Sequence, residues 1–106
     1  MTASPTQVTL VATVVSTVSL DTAHPWIEVK NLTGVNPVSI NVGSVANAPG
    51  DPTVNGNGFP VVSAQADAKV ILPGVDLVSP AQVKLISAGT PIVSVRGINR
   101  LYTETD

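Results

Sequence analysis

Apolar and polar residues alternate through residues 8–20, and this period of two constrains the fold more than any other feature of the chain. The apolar residues at the even positions are Val8, Leu10, Ala12, Val14, Val18 and Leu20. The odd positions are mainly Thr and Ser, with Val11 and Val15 among them. Such alternation is typical of a half-buried β-strand. Because a strand usually has roughly 5–6 residues, we expect this run to bend near Ala12-Thr13 and to serve two sheets.

The rest of the chain follows the same plan, with runs of Val, Ile and Thr separated by Gly, Pro and Asn. We predict further strands at about residues 26–30, 38–42, 59–64, 68–72, 82–87 and 92–96, with residues 88–91 as a hairpin connection between the last two. Seven or eight short strands without a convincing helix predict an all-β fold. The best interpretation is a small antiparallel β-sandwich, Ig-like or jelly-roll-like, and a small β-barrel is the alternative.

The length of 106 residues predicts one domain with short extensions at both ends. We expect a flexible N-terminal arm at residues 1–6, a β-sandwich at residues 7–98 and a C-terminal tail at residues 99–106. Residues 43–58 are rich in Asn, Gly and Pro, and we predict a long loop there. Loops of this length are usually functional or mobile.

The composition excludes several classes of partner. Only 11% of the residues are charged and the formal net charge is −2, so the chain has no basic stripe for nucleic acid. It has no cysteine and no apolar run long enough to cross a membrane. A surface this low in charge associates readily, and we therefore expect neighbouring subunits to cover much of it.

Catalytic and metal-binding groups are scarce. His24 is the only histidine, and because Pro25 follows it, we interpret it as a surface or turn residue. Asp51, Asn55 and Asn57 offer oxygen ligands at a spacing seen in some calcium loops, but one carboxylate carries too little charge for tight binding. Glu28 lies on a predicted strand without an identifiable carboxylate partner. We therefore predict no catalytic residue, no metal site, no cofactor and no small-molecule substrate.

A few residues are candidates for contacts with another subunit. Trp26 begins a strand, where packing in the core competes with an interface role. Arg and Tyr are enriched at binding hot spots, so Arg96, Arg100 and Tyr102 are candidate anchors if the tail docks on a neighbour. Val11 and Val15 are candidates because the strand run around them has no charged side chain, which is unusual for a free surface strand.

Three stretches give the chain a resemblance to a known family: residues 9–20 (TLVATVVSTVSL), residues 29–34 (VKNLTG), and residues 83–90 (VKLISAGT) with 92–98 (IVSVRGI). With these patterns the sequence resembles small structural proteins of tailed bacteriophages, particularly the minor capsid proteins that decorate or cement the head. The resemblance implies a non-enzymatic protein on the exterior of the virion capsid, made in the cytoplasm of the host bacterium. It also implies a homotrimer that clamps neighbouring subunits of the major capsid protein.

The alternative is a tail, collar or fibre β-domain of a phage that takes part in attachment. Such a domain would have the same composition and strand pattern. The aromatic content of 3% counts against glycan recognition, because sugar-binding modules commonly use aromatic side chains.

Overall fold

A computed structural model describes residues 6–20, 23–34, 36–54, 60–75 and 78–98. These residues form eight β-strands and no helix. The strands are β1 (Thr6–Thr9), β2 (Ser16–Ser19), β3 (Trp26–Asn31), β4 (Val38–Ser44), β5 (Val61–Val62), β6 (Ala68–Pro73), β7 (Ala81–Ser87) and β8 (Ile92–Ile98). The strand expected at residues 38–42 is longer than predicted, because Gly43 and Ser44 of the expected loop belong to it. Of the strand expected at 59–64, the structure describes residues 60–64, and two of these, Val61 and Val62, form ladder pairs. Strand β1 begins at Thr6, the last residue of the expected arm.

The strands form two four-stranded antiparallel sheets that pack face to face. Sheet 1 has the order β1-β8-β3-β6 and sheet 2 has the order β2-β7-β4-β5. The first strand therefore pairs with the last, the second with the seventh, the third with the sixth and the fourth with the fifth. This nested pairing is the topology of a jelly roll. The prediction of a small antiparallel β-sandwich is confirmed, and of its two variants the jelly roll is the one formed.

The alternating run at residues 8–20 bends where expected and contributes a strand to each sheet. Thr13 has a φ of 62°, a left-handed conformation that reverses the direction of the chain. Its amide donates a hydrogen bond to the carbonyl of Ser87 (2.8 Å), and the amide of Leu10 donates one to Pro91 (3.0 Å). These bonds attach the bend to the connection between β7 and β8.

The core lies between the sheets and is built from the inward-facing positions of the strands. Sheet 1 contributes Ile27, Val29, Val93 and Val95, and sheet 2 contributes Val18, Val38, Ile40, Val62, Val83 and Leu85, all of them buried. Leu10 and Leu20 close the core at its two ends. The alternation in the sequence predicts that Val83 and Leu85 of β7 and Val93 and Val95 of β8 face inward, and this prediction is confirmed.

The predicted hairpin at residues 88–91 is wrong. Strand β7 pairs with β2 and β4 in sheet 2, whereas β8 pairs with β1 and β3 in sheet 1. The four connecting residues therefore cross from one sheet to the other. The two strands face each other across the core instead of sharing a ladder, because each buries its own valine row against the opposite sheet.

The described part of the long loop lies on the outer face of sheet 2. The side-chain amide of Asn41 donates a hydrogen bond to the carbonyl of Gly50 (3.0 Å), and the hydroxyl of Ser39 donates one to the carbonyl of Val54 (3.2 Å). Lys84 and Asp51 form an ion pair of 3.1 Å. The loop thus covers one of the two outer faces of the sandwich.

Candidate functional site

The outer face of sheet 1 displays an unusual set of side chains. Ile27 and Val29 face the core with no exposed surface, so their neighbours along β3 face outward. The outward residues of the three adjacent strands are Trp26, Glu28 and Lys30 of β3, Lys69 and Ile71 of β6, and Ser94 and Arg96 of β8. We call this set the sheet 1 face.

A buried carboxylate lies at the centre of the sheet 1 face. Glu28 is only 4% exposed, and it lies directly opposite Arg96 in the ladder between β3 and β8. The guanidinium donates two hydrogen bonds, from Nε to Oε1 (3.0 Å) and from Nη2 to Oε2 (3.3 Å). Lys69 approaches the same carboxylate from β6, with Nζ 3.6 Å from Oε2. This bidentate, charge-assisted pairing holds both side chains in one geometry.

Basic side chains outnumber acidic ones among the described residues of the sheet 1 face. Lys30, Lys69 and Arg96 supply three positive charges there, and Glu28 supplies one negative charge.

A second notable surface follows the edges of both sheets on one side of the sandwich. Strands β1 and β2 are edge strands, and residues 6–20 contain no charged side chain. Their outward residues are exposed, as at Thr9 and Thr17, and at the bend Val11 is 58% exposed. We call these two strands the β1–β2 edge.

The opposite side of the sandwich is protected in the ways that natural edge strands usually are. Strand β5 has only two residues, and β6 carries Lys69 and Pro73. Short edges, lysine and proline all discourage pairing with another chain. Strands β1 and β2 have four residues each, and they contain no lysine and no proline.

The candidate interface residues do not form one surface. Trp26 is partly exposed and lies with Arg96 on the sheet 1 face, although Glu28 of the same chain already binds the guanidinium of Arg96. Val11 and Val15 lie at the bend between β1 and β2, at the opposite end of the sandwich from Trp26. Arg100 and Tyr102, and the rest of the tail at 99–106, lie outside the described residues, as does the arm at 1–5.

Sequence reasoning missed the pairing of Glu28 with Arg96. Each residue lies between apolar neighbours on its own strand, a pattern that places both outward. Nothing in the sequence says that β3 and β8 are adjacent, because the two residues are 68 positions apart.

The expectation of a surface position for His24 is wrong. The side chain is buried, with 5% of its surface exposed, and its ring lies against Gly97 of β8, where a Cβ atom would overlap it. The residue is in the connection between β2 and β3, as the following proline indicated. Burial beneath β8 could not be read from the local sequence.

The oxygen-rich loop does not bring ligands together in its described part. Asp51 pairs with Lys84, and Asn55 and Asn57 lie outside the described residues. Among the residues that the structure describes, no three His, Cys, Asp or Glu side chains are grouped as a metal site would require. The same residues contain no helix that is long and apolar enough to span a membrane.

Comparison with known proteins found no family model, no curated protein and no solved structure that matches the chain.

Proposed function

We propose that this chain is a non-enzymatic structural protein of a bacteriophage virion, which decorates the assembled head as a homotrimer and binds subunits of the major capsid protein. The observation that carries the proposal is the β1–β2 edge, whose two described strands carry no charge. Two edge strands with open backbone groups and exposed Thr and Ser side chains are a liability for a domain that works free in solution. In a domain that works within an assembly, a partner covers them.

The physical properties of the rest of the domain support this role. A sandwich with little charge suits repeated contacts on a symmetric lattice. A trimer engages several capsid subunits at once, so each contact can be weak while the sum is strong. A protein that binds only the assembled shell stabilises that state by linkage. Jelly rolls occur in viral capsid proteins as well as in lectins and cupins, so the topology is compatible with the proposal without determining the function.

The test is the number of copies in purified virions, measured by quantitative mass spectrometry against the major capsid protein. We expect hundreds of copies per particle. A dozen or fewer would overturn head decoration in favour of a tail, collar or fibre component, and absence from the particle would overturn any virion role.

A pair of matched variants tests whether the β1–β2 edge is the contact. Thr17→Lys places a charge on the exposed face of β2, and Val61→Lys places the same charge on the exposed face of β5 at the opposite edge, where the valine is 41% exposed. We expect Thr17→Lys to lower the copy number on the head at least tenfold and Val61→Lys to leave it within twofold. Equal incorporation of both variants would show that the edge is not the contact.

A further inference from the structure

We propose that copies of this chain associate through one end of the sandwich, where four connections between strands lie. These are the bend at residues 10–15 and the connections at residues 32–37, 63–67 and 88–91, of which residue 35 lies outside the described residues. We call this surface the connection end. The inference rests on the proposed assembly role, because it names the surface that joins the copies of the homotrimer.

The four connections are tied to one another by hydrogen bonds. Ser87, the last residue of β7, accepts a bond at its carbonyl from the amide of Thr13 (2.8 Å) and donates one from its hydroxyl to the carbonyl of Pro37 (2.9 Å). Asn31, the last residue of β3, donates a bond from its side-chain amide to the carbonyl of Ser63 (3.2 Å). The connection end is therefore fixed before it meets a partner, which lowers the entropic cost of association.

Two valines of the bend are exposed side by side. Val11 is 58% exposed and Val14 is 51% exposed. The amide of Val14 donates a hydrogen bond to the carbonyl of Val11 (3.0 Å), so the two residues are the first and last of one four-residue turn, in which these Cα atoms are less than about 7 Å apart. Together they form a small apolar patch that the chain itself leaves open to solvent.

The backbone of this turn is strained. Thr13 is the third of its four residues and has a φ of 62°, a value for which Gly or Asn is the usual residue. For a β-branched residue a positive φ is a genuine outlier. Strain of this kind persists where the surrounding structure enforces it, and it is concentrated at sites of binding and switching. Here it holds Val11 and Val14 on the surface.

The connection end carries very little charge. Among the residues of its four connections, Asp67 is the only charged one. Asp67 precedes β6, whereas the bend follows β1, and these strands are the opposite edges of sheet 1. The two edges are three strand spacings apart, roughly 14 Å. The bend and the connection at residues 88–91, which is bonded to it, are therefore uncharged.

A second copy is the partner that this lack of charge favours. Close to a symmetry axis a residue meets the same residue of its neighbours, so a charge placed there meets a like charge. The bend avoids that repulsion. Interfaces between different proteins commonly use complementary charges to select the partner, and the connection end has only Asp67 to offer. Depletion of charge and a high apolar content are typical of the core of interfaces between identical subunits. We therefore place the bends of the three copies around the threefold axis.

The first test compares two double variants of the full-length protein, with the association constant measured by sedimentation equilibrium. Val11→Ser/Val14→Ser changes the bend. Val45→Ser/Val75→Ser makes the same change at valines that are 54% and 59% exposed and that follow β4 and β6 at the other end of the sandwich. We expect the bend variant to weaken self-association at least tenfold and the control variant to change it less than threefold.

Both variants should unfold in urea at the wild-type midpoint, because substitutions of exposed residues usually have small effects on stability. Equal association constants for the two variants would overturn the proposal. A wild-type protein that stays monomeric up to its solubility limit would overturn it as well.

The second test uses the absence of cysteine from the chain, because a single introduced thiol then reports on one position. Ala12→Cys places it at an exposed position of the bend, and Val75→Cys places it at the other end. A short bismaleimide links thiols of neighbouring copies. We expect covalent dimers from Ala12→Cys and few from Val75→Cys. A protein that sediments as a trimer but cross-links equally at both positions would overturn the contact at the connection end.

The copy number of Val11→Ser/Val14→Ser in virions separates this inference from the proposed function. Self-association through the connection end by a protein that is absent from virions would overturn the virion role and leave the inference intact. A variant that associates like the wild type but is lost from virions would overturn the inference, because the connection end would then bind the capsid protein.

Discussion

Removal of the Arg96 guanidinium is expected to destabilise the domain more than removal of any other charged group that the structure describes. Arg96→Met keeps the aliphatic part of the side chain and removes both hydrogen bonds to Glu28. The carboxylate would remain buried, with 4% of the residue exposed. Lys69, at 3.6 Å, would be its remaining partner within the sheet 1 face.

The expected cost follows from the burial of Glu28. Breaking a buried ion pair by removing one partner costs about 3–5 kcal/mol, because the other charge is left uncompensated. Since Lys69 still offsets part of the charge, we expect about 3 kcal/mol for Arg96→Met. For a domain of this size that corresponds to a fall in Tm of about 12–15 °C.

The double variant Glu28→Leu/Arg96→Met removes both charges, and we expect it to regain most of the lost stability. Lys69→Met is the control. Because its side chain is 45% exposed, its loss should cost less than about 1 kcal/mol.

The assay is urea unfolding followed by the fluorescence of Trp26, the only tryptophan of the chain. A cost below about 1 kcal/mol for Arg96→Met would refute the reasoning. So would a double variant no more stable than Arg96→Met alone, because the penalty would then not come from the unpaired carboxylate.

Two further predictions concern residues that the fold buries. Asn31 has no exposed surface and its side chain makes three hydrogen bonds to backbone groups, so Asn31→Ala should cost about 2–4 kcal/mol in urea unfolding. Asn41→Ala, which loses one exposed bond, should cost less than half as much, and equal costs would contradict the argument from burial. Gly97→Ala places a methyl group against the ring of His24, and we expect a cost of about 1–3 kcal/mol. Gly50→Ala is the control, because its added carbon would lie 4.0 Å from the side-chain nitrogen of Asn41, and its cost should stay within about 0.5 kcal/mol. Equal shifts of the thermal melt for both glycine variants would argue against the overlap.

Much of the fold could be predicted from the sequence because the direction of a side chain in a strand is a local property. Alternation placed Val83 and Leu85 of β7 and Val93 and Val95 of β8 inward, and all four are fully buried. The uninterrupted run at residues 8–20 was too long for one strand, and it bends at Thr13. Each of these predictions depends only on a few neighbouring residues, because successive side chains of an extended backbone point to opposite faces.

The pairing of strands could not be predicted in the same way. The connection at residues 88–91 has the composition of a hairpin, yet it joins two sheets, because the composition of a turn does not say whether the strands it connects share a ladder or face each other. The ion pair between Glu28 and Arg96, the burial of His24 beneath Gly97 and the cover of sheet 2 by its own loop all depend on that choice.

The sequence by itself therefore determined an all-β domain, the inward face of its strands and an uncharged stretch at residues 6–20. The tertiary structure decided that this stretch forms an edge of both sheets and that three of the five basic residues lie on the outer face of sheet 1. The physical reason is that the direction of a side chain depends on the local geometry of the backbone. Strand pairing in a jelly roll, by contrast, joins strands as far apart in the sequence as β1 and β8. Such contacts form only when the whole chain closes around one core.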